Sequence, residues 1–172
     1  MRLFIIGYAG SGKSTIARRL THDTGIRSVD TDKLVEQRVG ASIADIFLYE
    51  GEEYFREAER SAIESISAEG DVIVATGGGL PTWRDNMEWM NGEGVTIYLR
   101  RTAEQILKRL SDYGRQKRPM FRGKSDEELL EFMTQQMADR ERYYAKAQYV
   151  IDCSVMSDDD IVNYITQLIT RL

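Results

Sequence analysis

The most informative segment of this sequence is Gly7-Tyr8-Ala9-Gly10-Ser11-Gly12-Lys13-Ser14-Thr15. It matches the pattern G-x-x-x-x-G-K-[ST] at every specified position, and it lies between an apolar run and an amphipathic segment. Glycines allow successive backbone N–H groups to turn toward phosphate oxygens, and the helix that follows adds its dipole. The stretch predicts a phosphate-binding loop over residues 7–15 for a nucleoside triphosphate. A ligand-free glycine turn is the alternative, and the complete match argues against it.

Two residues of this loop have separate predicted roles. Lys13 places a positive charge on the β- and γ-phosphates, and the Ser14 hydroxyl is a ligand for Mg²⁺. Further nucleotide contacts are expected from four residues: Gly10, Ser11, Gly12 and Thr15.

Short apolar runs alternate with amphipathic segments along the whole chain, which indicates an α/β fold. The predicted strands are residues 2–6, 28–29, 71–75, 95–99 and 149–151. The predicted helices are residues 13–21, 31–38, 52–66, 102–110, 127–144 and 158–172. Residues 72–74 are apolar without alternation, as expected when helices cover both faces of a parallel sheet. The pattern predicts one domain in which ligands bind beyond the carboxyl ends of the strands.

The composition argues against several classes of protein. The 172 residues carry a net charge of −5, which gives no general reason to bind nucleic acid or anionic membranes. No apolar run approaches the ~20 residues of a membrane helix. One cysteine and one histidine exclude an internal disulfide and argue against zinc. We expect a cytoplasmic monomer with small-molecule partners, no nucleic acid and no membrane.

The residues after the loop favour a small-molecule kinase over a motor or switch protein. The third predicted strand runs into Thr76 and three glycines, Gly77, Gly78 and Gly79, instead of a metal-holding aspartate. The sequence has no Asn-Lys-x-Asp motif for guanine. The three glycines allow a ligand to approach the backbone, although a plain turn is the alternative.

Asp30-Thr31-Asp32 follows the second predicted strand, beside the expected phosphate loop. Asp30 is predicted to hold the magnesium shell through water, and Asp32 to hydrogen-bond the hydroxyl groups of an acceptor. The alternative is a helix N-cap aspartate with an acidic neighbour.

Three arginines are candidates for anion binding. Arg56 precedes Glu59 by three residues, so Glu59 could orient its guanidinium; a surface ion pair is the alternative. Arg118 lies in the basic segment 113–124, which is predicted to be a loop that closes over phosphates; a nucleic-acid patch and a solvated loop remain open. Arg140 shares a helix face with Tyr144, whose ring could support it; packing along the surface is the alternative.

These motifs, in this order, resemble the shikimate kinase family over nearly the whole chain. The resemblance implies a three-layer P-loop fold like that of nucleoside monophosphate kinases, with a five-stranded parallel sheet in the order 2-3-1-4-5. It also implies transfer of the γ-phosphoryl group of ATP to the 3-hydroxyl of shikimate, in chorismate and aromatic amino-acid biosynthesis. The acceptor region would span about 31–60, and a lid about 112–124.

The resemblance assigns roles residue by residue. Shikimate would be held by Asp32, Arg56, the Gly77–Gly79 stretch and Arg140, with the two arginines on its carboxylate. Adenine would contact three residues: Arg109, Ser154 and Met156. Lys13, Asp32 and Arg118 would be the catalytic residues, and Ser14 and Asp30 the magnesium residues. The sequence of the expected lid differs from the family's usual Arg-Pro-Leu-Leu, because this chain has Arg118-Pro119-Met120-Phe121. Another small-molecule P-loop kinase, such as gluconate kinase, and a non-catalytic ATP-binding module remain as alternatives.

Overall fold

The computed structural model describes residues 1–66 and 70–171. Its strands are β1 (Arg2–Ile6), β2 (Arg27–Asp30), β3 (Val72–Ala75), β4 (Val95–Arg100) and β5 (Tyr149–Asp152). Within those residues they form one parallel sheet in the order β2-β3-β1-β4-β5. The α/β fold and this strand order are confirmed.

Helices connect the strands and cover both faces of the sheet. They are α1 (Lys13–Thr24), α2 (Thr31–Val39), α3 (Ile43–Tyr49), α4 (Gly51–Glu64), α5 (Asn86–Glu93), α6 (Ala103–Arg109), α7 (Asp112–Gln116), α8 (Asp126–Tyr144) and α9 (Asp158–Ile169). Short 3-10 turns cover Leu80–Thr82 and Pro119–Phe121.

Two apolar layers sandwich the sheet, and they explain why its central strands are apolar at every position. Phe4 and Tyr98 belong to the layer that includes α8 residues such as Leu129. Leu3 and Ile97 point to the other layer, which contains buried residues of α1 and α9. The side chains of successive strand residues alternate between these two layers.

A third, smaller apolar cluster holds the predicted acceptor region together. It joins Val35 of α2, Ile46 of α3, and Phe55 and Ala62 of α4. This packing fixes the position of α4, from which Arg56 projects.

Several predicted boundaries are wrong, for local reasons. The helices α3 and α5 were not predicted; both are short, and α5 has little apolar periodicity. The segment predicted as a basic loop contains the five-residue helix α7, whose N-cap is Ser111. The last helix ends at Ile169 instead of residue 172, and Leu172 lies outside the described residues. Throughout residues 1–66 and 70–171, no helix is long and apolar enough to cross a membrane.

Candidate active site

The phosphate loop connects β1 to α1, and Gly12 is the N-cap of the helix. The φ angle of Gly12 is +98°, a left-handed conformation that side chains rarely adopt. Lys13 is buried, and its Nζ donates hydrogen bonds to the carbonyl oxygens of Gly7 and Tyr8, both at 2.8 Å. Burial lowers the pKa of Lys13 to about 8, and the nearby Asp32 carboxylate opposes that shift. The cation therefore lies within the loop that is expected to receive phosphate.

Ser14 and Asp30 meet at the carboxyl end of β2. The Ser14 hydroxyl donates to Oδ2 of Asp30 at 2.7 Å. The other oxygen of Asp30 accepts from the backbone N–H groups of Asp32 at 3.1 Å and Lys33 at 3.4 Å, so Asp30 is also the N-cap of α2. The N-cap interpretation is thus correct, and it leaves one carboxylate oxygen directed to Ser14.

A cleft of about 290 Å³ opens over these residues. Its walls come from the phosphate loop, the two aspartates at the carboxyl end of β2, the start of the glycine stretch after β3, and the α6–α7 segment. The predicted site residues among its lining are Gly10, Gly12, Lys13, Ser14, Thr15, Asp30, Asp32, Gly77, Gly78, Arg109 and Arg118. The fold thus brings together residues separated by more than 100 positions in sequence.

Asp32 is open to the cleft, yet protein atoms displace most of the water around its carboxyl group. This desolvation raises the pKa of Asp32, the Asp30 carboxylate raises it further, and Lys13 lowers it. A Cβ atom on Gly77 would lie 2.6 Å from Oδ1 of Asp32 and 2.6 Å from Oε1 of Glu59. Only glycine leaves room there for two carboxyl groups.

Arg56 projects from α4 onto the glycine stretch. A Cβ on Gly79 would lie 2.7 Å from Cζ and 2.7 Å from Nη1 of Arg56, so the guanidinium packs directly on the backbone. Arg56 forms a close ion pair with Glu59 and a longer one with Glu52 at 3.6 Å. Since the Glu59 side chain is only 1% exposed, the interpretation of a solvated surface pair is wrong.

Glu59 has a buried carboxyl group whose two oxygens differ in their hydrogen bonding. Its Oε2 accepts from Arg56, whereas its Oε1 has no hydrogen-bond partner among the described residues. Burial raises the pKa of Glu59 to about 7, and the Arg56 charge opposes this. The proximity of Asp32 raises it as well.

Arg140 and Tyr144 approach the glycine stretch from α8. A Cβ on Gly78 would lie 3.5 Å from Nη1 of Arg140, and the same guanidinium lies over the Tyr8 ring, 5.6 Å from its centre. The Tyr144 hydroxyl donates to the carbonyl oxygen of Gly78 at 2.5 Å. Tyr144 is fully buried, so packing of this pair along the surface is wrong. Across residues 1–66 and 70–171, Arg140 forms no salt bridge with a carboxylate.

The basic segment supplies Arg118 to the cleft. Its Nη1 donates to the carbonyl oxygen of Gly114 at 2.8 Å, and desolvation lowers the pKa of its guanidinium. Phe121, one of the two residues at which this chain differs from the Arg-Pro-Leu-Leu sequence, is buried and stacks on Tyr8 with ring centres 6.3 Å apart. The end of the basic segment is therefore attached to the phosphate loop by an aromatic contact.

The comparisons of this sequence with known protein sequences point to one family. A family model described as shikimate kinase matches residues 9–170. The chain belongs to the shikimate kinase family. A shikimate kinase from Parabacteroides distasonis is 36% identical over 171 residues, which cover 99% of this chain and 98% of the relative.

Solved structures of shikimate kinases show the same fold. The enzyme from Bacteroides thetaiotaomicron has a TM-score of 0.89 and 31% identity, with 99% of this chain and 98% of that chain covered. The shikimate kinase from Acinetobacter baumannii in complex with shikimate has a TM-score of 0.85 and 29% identity, with 99% and 93% covered. The prediction of an ATP-dependent kinase of the shikimate kinase family is confirmed.

Of the residues to which the shikimate kinase resemblance assigned adenine contacts, only Arg109 lies at the cleft. The backbone N–H and the hydroxyl of Ser154 donate hydrogen bonds to Oδ1 of Asp152, at 2.9 Å and 2.6 Å. Ser154 lines a separate cavity beside α8. Met156 packs against the apolar layer formed by α1 and α9. The structure does not bring Ser154 and Met156 to the cleft, and their predicted roles remain predictions.

Three residues at the site were missed by the sequence analysis. Thr31 is fully buried, and its hydroxyl oxygen accepts from the N–H of Gly77 at 2.8 Å. Tyr8 joins the loop to Phe121 and Arg140, and its hydroxyl donates to Gln136 at 2.5 Å. Arg101 donates to the carbonyl oxygen of Ser11 at 2.8 Å. The sequence offered two signals for these residues: an aromatic residue inside the glycine loop, which is Tyr8, and an arginine directly after β4, which is Arg101.

Proposed function

We propose that this protein transfers the γ-phosphoryl group of ATP to the 3-hydroxyl of shikimate, giving shikimate 3-phosphate and ADP. One observation carries the choice of acceptor: the guanidinium groups of Arg56 and Arg140 both lie on the glycine stretch whose first residues line the phosphate cleft. A guanidinium suits a carboxylate because its N–H groups match the two oxygens. The complex of the Acinetobacter baumannii relative supports shikimate as that acid.

The acceptor is held at two ends. Arg56 and Arg140 bind its carboxylate, and backbone groups of the glycine stretch contact its ring. Asp32, in the cleft that Lys13 also lines, then accepts a hydrogen bond from the attacking hydroxyl. Binding at a remote carboxylate fixes the distance and angle of that hydroxyl, which lowers the entropic part of the barrier.

Phosphoryl transfer needs charge neutralisation more than covalent chemistry. Lys13 exchanges its two carbonyl partners for phosphate oxygens, and Arg118 closes on the transferring group from the lid. Asp32 orients the hydroxyl and can take up its proton, since desolvation makes its carboxylate more basic than usual.

The donor atoms at the cleft suit Mg²⁺. Ser14 and Asp30 bring a hydroxyl and a carboxylate oxygen within 2.7 Å of each other. Mg²⁺ prefers oxygen ligands and takes few from the protein when phosphates and water supply the rest. Ser14 would bind it directly and Asp30 through water. When bound, Mg²⁺ neutralises charge on the β- and γ-phosphate oxygens.

We further propose that the chain is one domain, with a phosphate loop at residues 7–15, an acceptor region at about 31–60 and a lid at about 112–124. The protein is proposed to be a cytoplasmic monomer whose partners are small molecules. The net charge of −5 supports the absence of nucleic-acid and membrane partners.

The test is ADP release from Mg²⁺–ATP with shikimate, gluconate or a nucleoside monophosphate supplied separately. We expect stimulation by shikimate alone, with a product heavier by one phosphoryl group in mass spectrometry. Stimulation by another acceptor instead would contradict the assigned pocket. No stimulation by any acceptor, despite nucleotide binding, would contradict the proposed reaction itself.

A pair of variants tests the carboxylate assignment. Arg56→Ala should raise the KM for shikimate roughly 10- to 100-fold because it removes hydrogen bonds to a charged group. Its KM for ATP should stay near that of the wild type. The control is Arg60→Ala on the same helix, since Arg60 pairs with Glu64 and Asp85. Unchanged shikimate kinetics for Arg56→Ala would contradict the assignment.

A further inference from the structure

Asp158 accepts hydrogen bonds from two arginines, one directly after β4 and one at the end of α6. Arg101, directly after β4, donates from Nη2 to Oδ1 of Asp158 at 2.8 Å. Arg109, the last residue of α6, donates from Nη1 to Oδ1 at 3.2 Å and from Nη2 to Oδ2 at 2.9 Å. One carboxylate at the start of α9 therefore fixes two guanidinium groups.

Both arginines also contact the phosphate loop. Arg101 donates from Nε to the carbonyl oxygen of Ser11 at 2.8 Å. A Cβ atom on Gly12 would lie 3.2 Å from Nη2 of Arg109, so this guanidinium lies against the next residue of the loop. Arg101 thus hydrogen-bonds the peptide that follows Ser11, Arg109 packs beside Gly12, and Asp158 holds both side chains.

The cap of α9 does not require Asp158. The Ser157 hydroxyl accepts from the N–H of Asp160 at 3.1 Å, and the Asp160 carboxylate accepts from the N–H of Ser157 at 3.0 Å. These two residues complete the capping box, and Asp158 is left for the arginines. Asp159 pairs with Arg19 on the surface instead.

The surroundings make the contact with Arg101 stronger than a surface ion pair. The Arg101 side chain is only 5% exposed and that of Asp158 is 25% exposed, so water screens the pair weakly. The Asp158 carboxylate offsets the electrostatic repulsion between the two guanidinium groups. Removal of the carboxylate would leave Arg101 as a buried charge without an anionic partner and would free Arg109 to leave the loop.

We infer that Asp158 is a positioning residue for the nucleotide: by fixing Arg101 and Arg109 it holds the backbone at Ser11 and Gly12 in the conformation that receives phosphate. The net charge of this trio is +1, which also favours a polyanion at the loop. This inference rests on the proposed function, because it names ATP as the ligand of that loop.

Asp158→Asn tests the inference, with Asp159→Asn as the matched control. We expect the KM for ATP to rise on the order of tenfold in Asp158→Asn, equivalent to about 1.4 kcal/mol, while the KM for shikimate stays near that of the wild type. The Kd for ADP, measured by calorimetry without shikimate, should rise by the same factor. Asp159→Asn should match the wild type in all three constants.

Asp158→Glu separates charge from simple packing. This variant keeps the carboxylate, and we expect it to recover most of the affinity for ADP. A wild-type Kd for ADP in Asp158→Asn would overturn the inference. Equal increases in the KM values for ATP and shikimate would also overturn it, because they would indicate a general loss of structural order in the protein. Affinity as weak in Asp158→Glu as in Asp158→Asn would also overturn it. The wild-type protein in the same assay distinguishes the two failures. If the proposed function is wrong, the wild type is inactive with shikimate; if only the role of Asp158 is wrong, the wild type is active.

Discussion

Tyr144, at the end of α8, donates its hydroxyl to the carbonyl oxygen of Gly78, 66 positions earlier in the chain, at 2.5 Å. This bond joins the helix that carries Arg140 to the glycine stretch on which that arginine lies. It makes the relative position of Arg140 and the backbone of Gly78 a property of the folded chain, set before any ligand binds.

Tyr144→Phe should therefore weaken acceptor binding more than nucleotide binding. The ring still fills its buried position, while the Gly78 carbonyl loses its partner at a cost of about 1–3 kcal/mol in unfolding free energy. We expect a higher KM for shikimate, an unchanged KM for ATP and a lower Tm. Tyr143→Phe is the control, because the Tyr143 hydroxyl only accepts from Arg142 at 3.2 Å near the surface. Equal effects of the two substitutions would contradict the prediction.

Gly79→Ala should displace the guanidinium of Arg56. The φ angle of Gly79 is −91°, so alanine causes no backbone strain there, and the whole effect comes from the clash between its Cβ and Arg56. We expect the KM for shikimate to rise at least tenfold, with little change for ATP. In Gly92→Ala, which has open space around the new methyl group, steady-state kinetics should match the wild type. Normal shikimate kinetics in Gly79→Ala would show that the position of Arg56 is unimportant.

Nucleotide binding should be linked to proton uptake above neutral pH. The pKa of Lys13 in the free protein is lowered to about 8, mainly by burial, and bound phosphates would raise it because they stabilise the charged amine. ADP binding at pH 8.5 should therefore take up part of a proton, and at pH 7 almost none. Calorimetry in two buffers of different ionisation enthalpy measures the number of protons taken up on ADP binding.

Two variants identify the group responsible. Lys13→Met should lose the uptake at pH 8.5, whereas Lys146→Met should keep it, because Lys146 pairs with Glu88 on the surface. Uptake that persists in Lys13→Met would assign the proton to another residue.

Glu59 should make the protein less stable as the pH rises. Its pKa is about 7 in the folded protein, against an ordinary value of 4.5, so the folded state binds more protons between these two pH values. The contribution of Glu59 to the unfolding free energy is therefore complete below about pH 4.5 and is lost as the pH rises through about 7. The slope is at most about 1.4 kcal/mol per pH unit.

Glu59→Gln removes this titration. The unfolding free energy of the wild type relative to that of the variant should fall between pH 4.5 and 7 and stay constant above, as measured by urea denaturation. Glu64→Gln, at the end of the same helix, is the control for loss of a half-exposed carboxylate from α4. A flat difference for Glu59→Gln would mean that Glu59 titrates normally.

The phosphate loop and the strand order were predictable for different reasons. A loop that binds phosphate through its backbone depends on local glycines and on the adjoining helix, so residues 7–15 identify it directly. The strand order depends on long-range pairing, such as Phe4 with Val74 and Thr96, and it was available only through the family resemblance. Helices without clear periodicity, such as α5, were missed because their residues show no amphipathic pattern; in α5 only Asn86, Met87 and Met90 are buried.

The sequence alone determined which chemical groups this protein carries and in what order, because glycine loops, caps and apolar strands act within a few residues of one another. Which of those groups come into contact depends on the packing of the folded chain. This packing placed Arg56 and Arg140 on one glycine stretch, and it buried Glu59, for which the sequence had left a surface ion pair open. It also brought Asp158 to the two arginines beside the loop. Such contacts depend on the packing of elements far apart in the chain, and no local pattern encodes them.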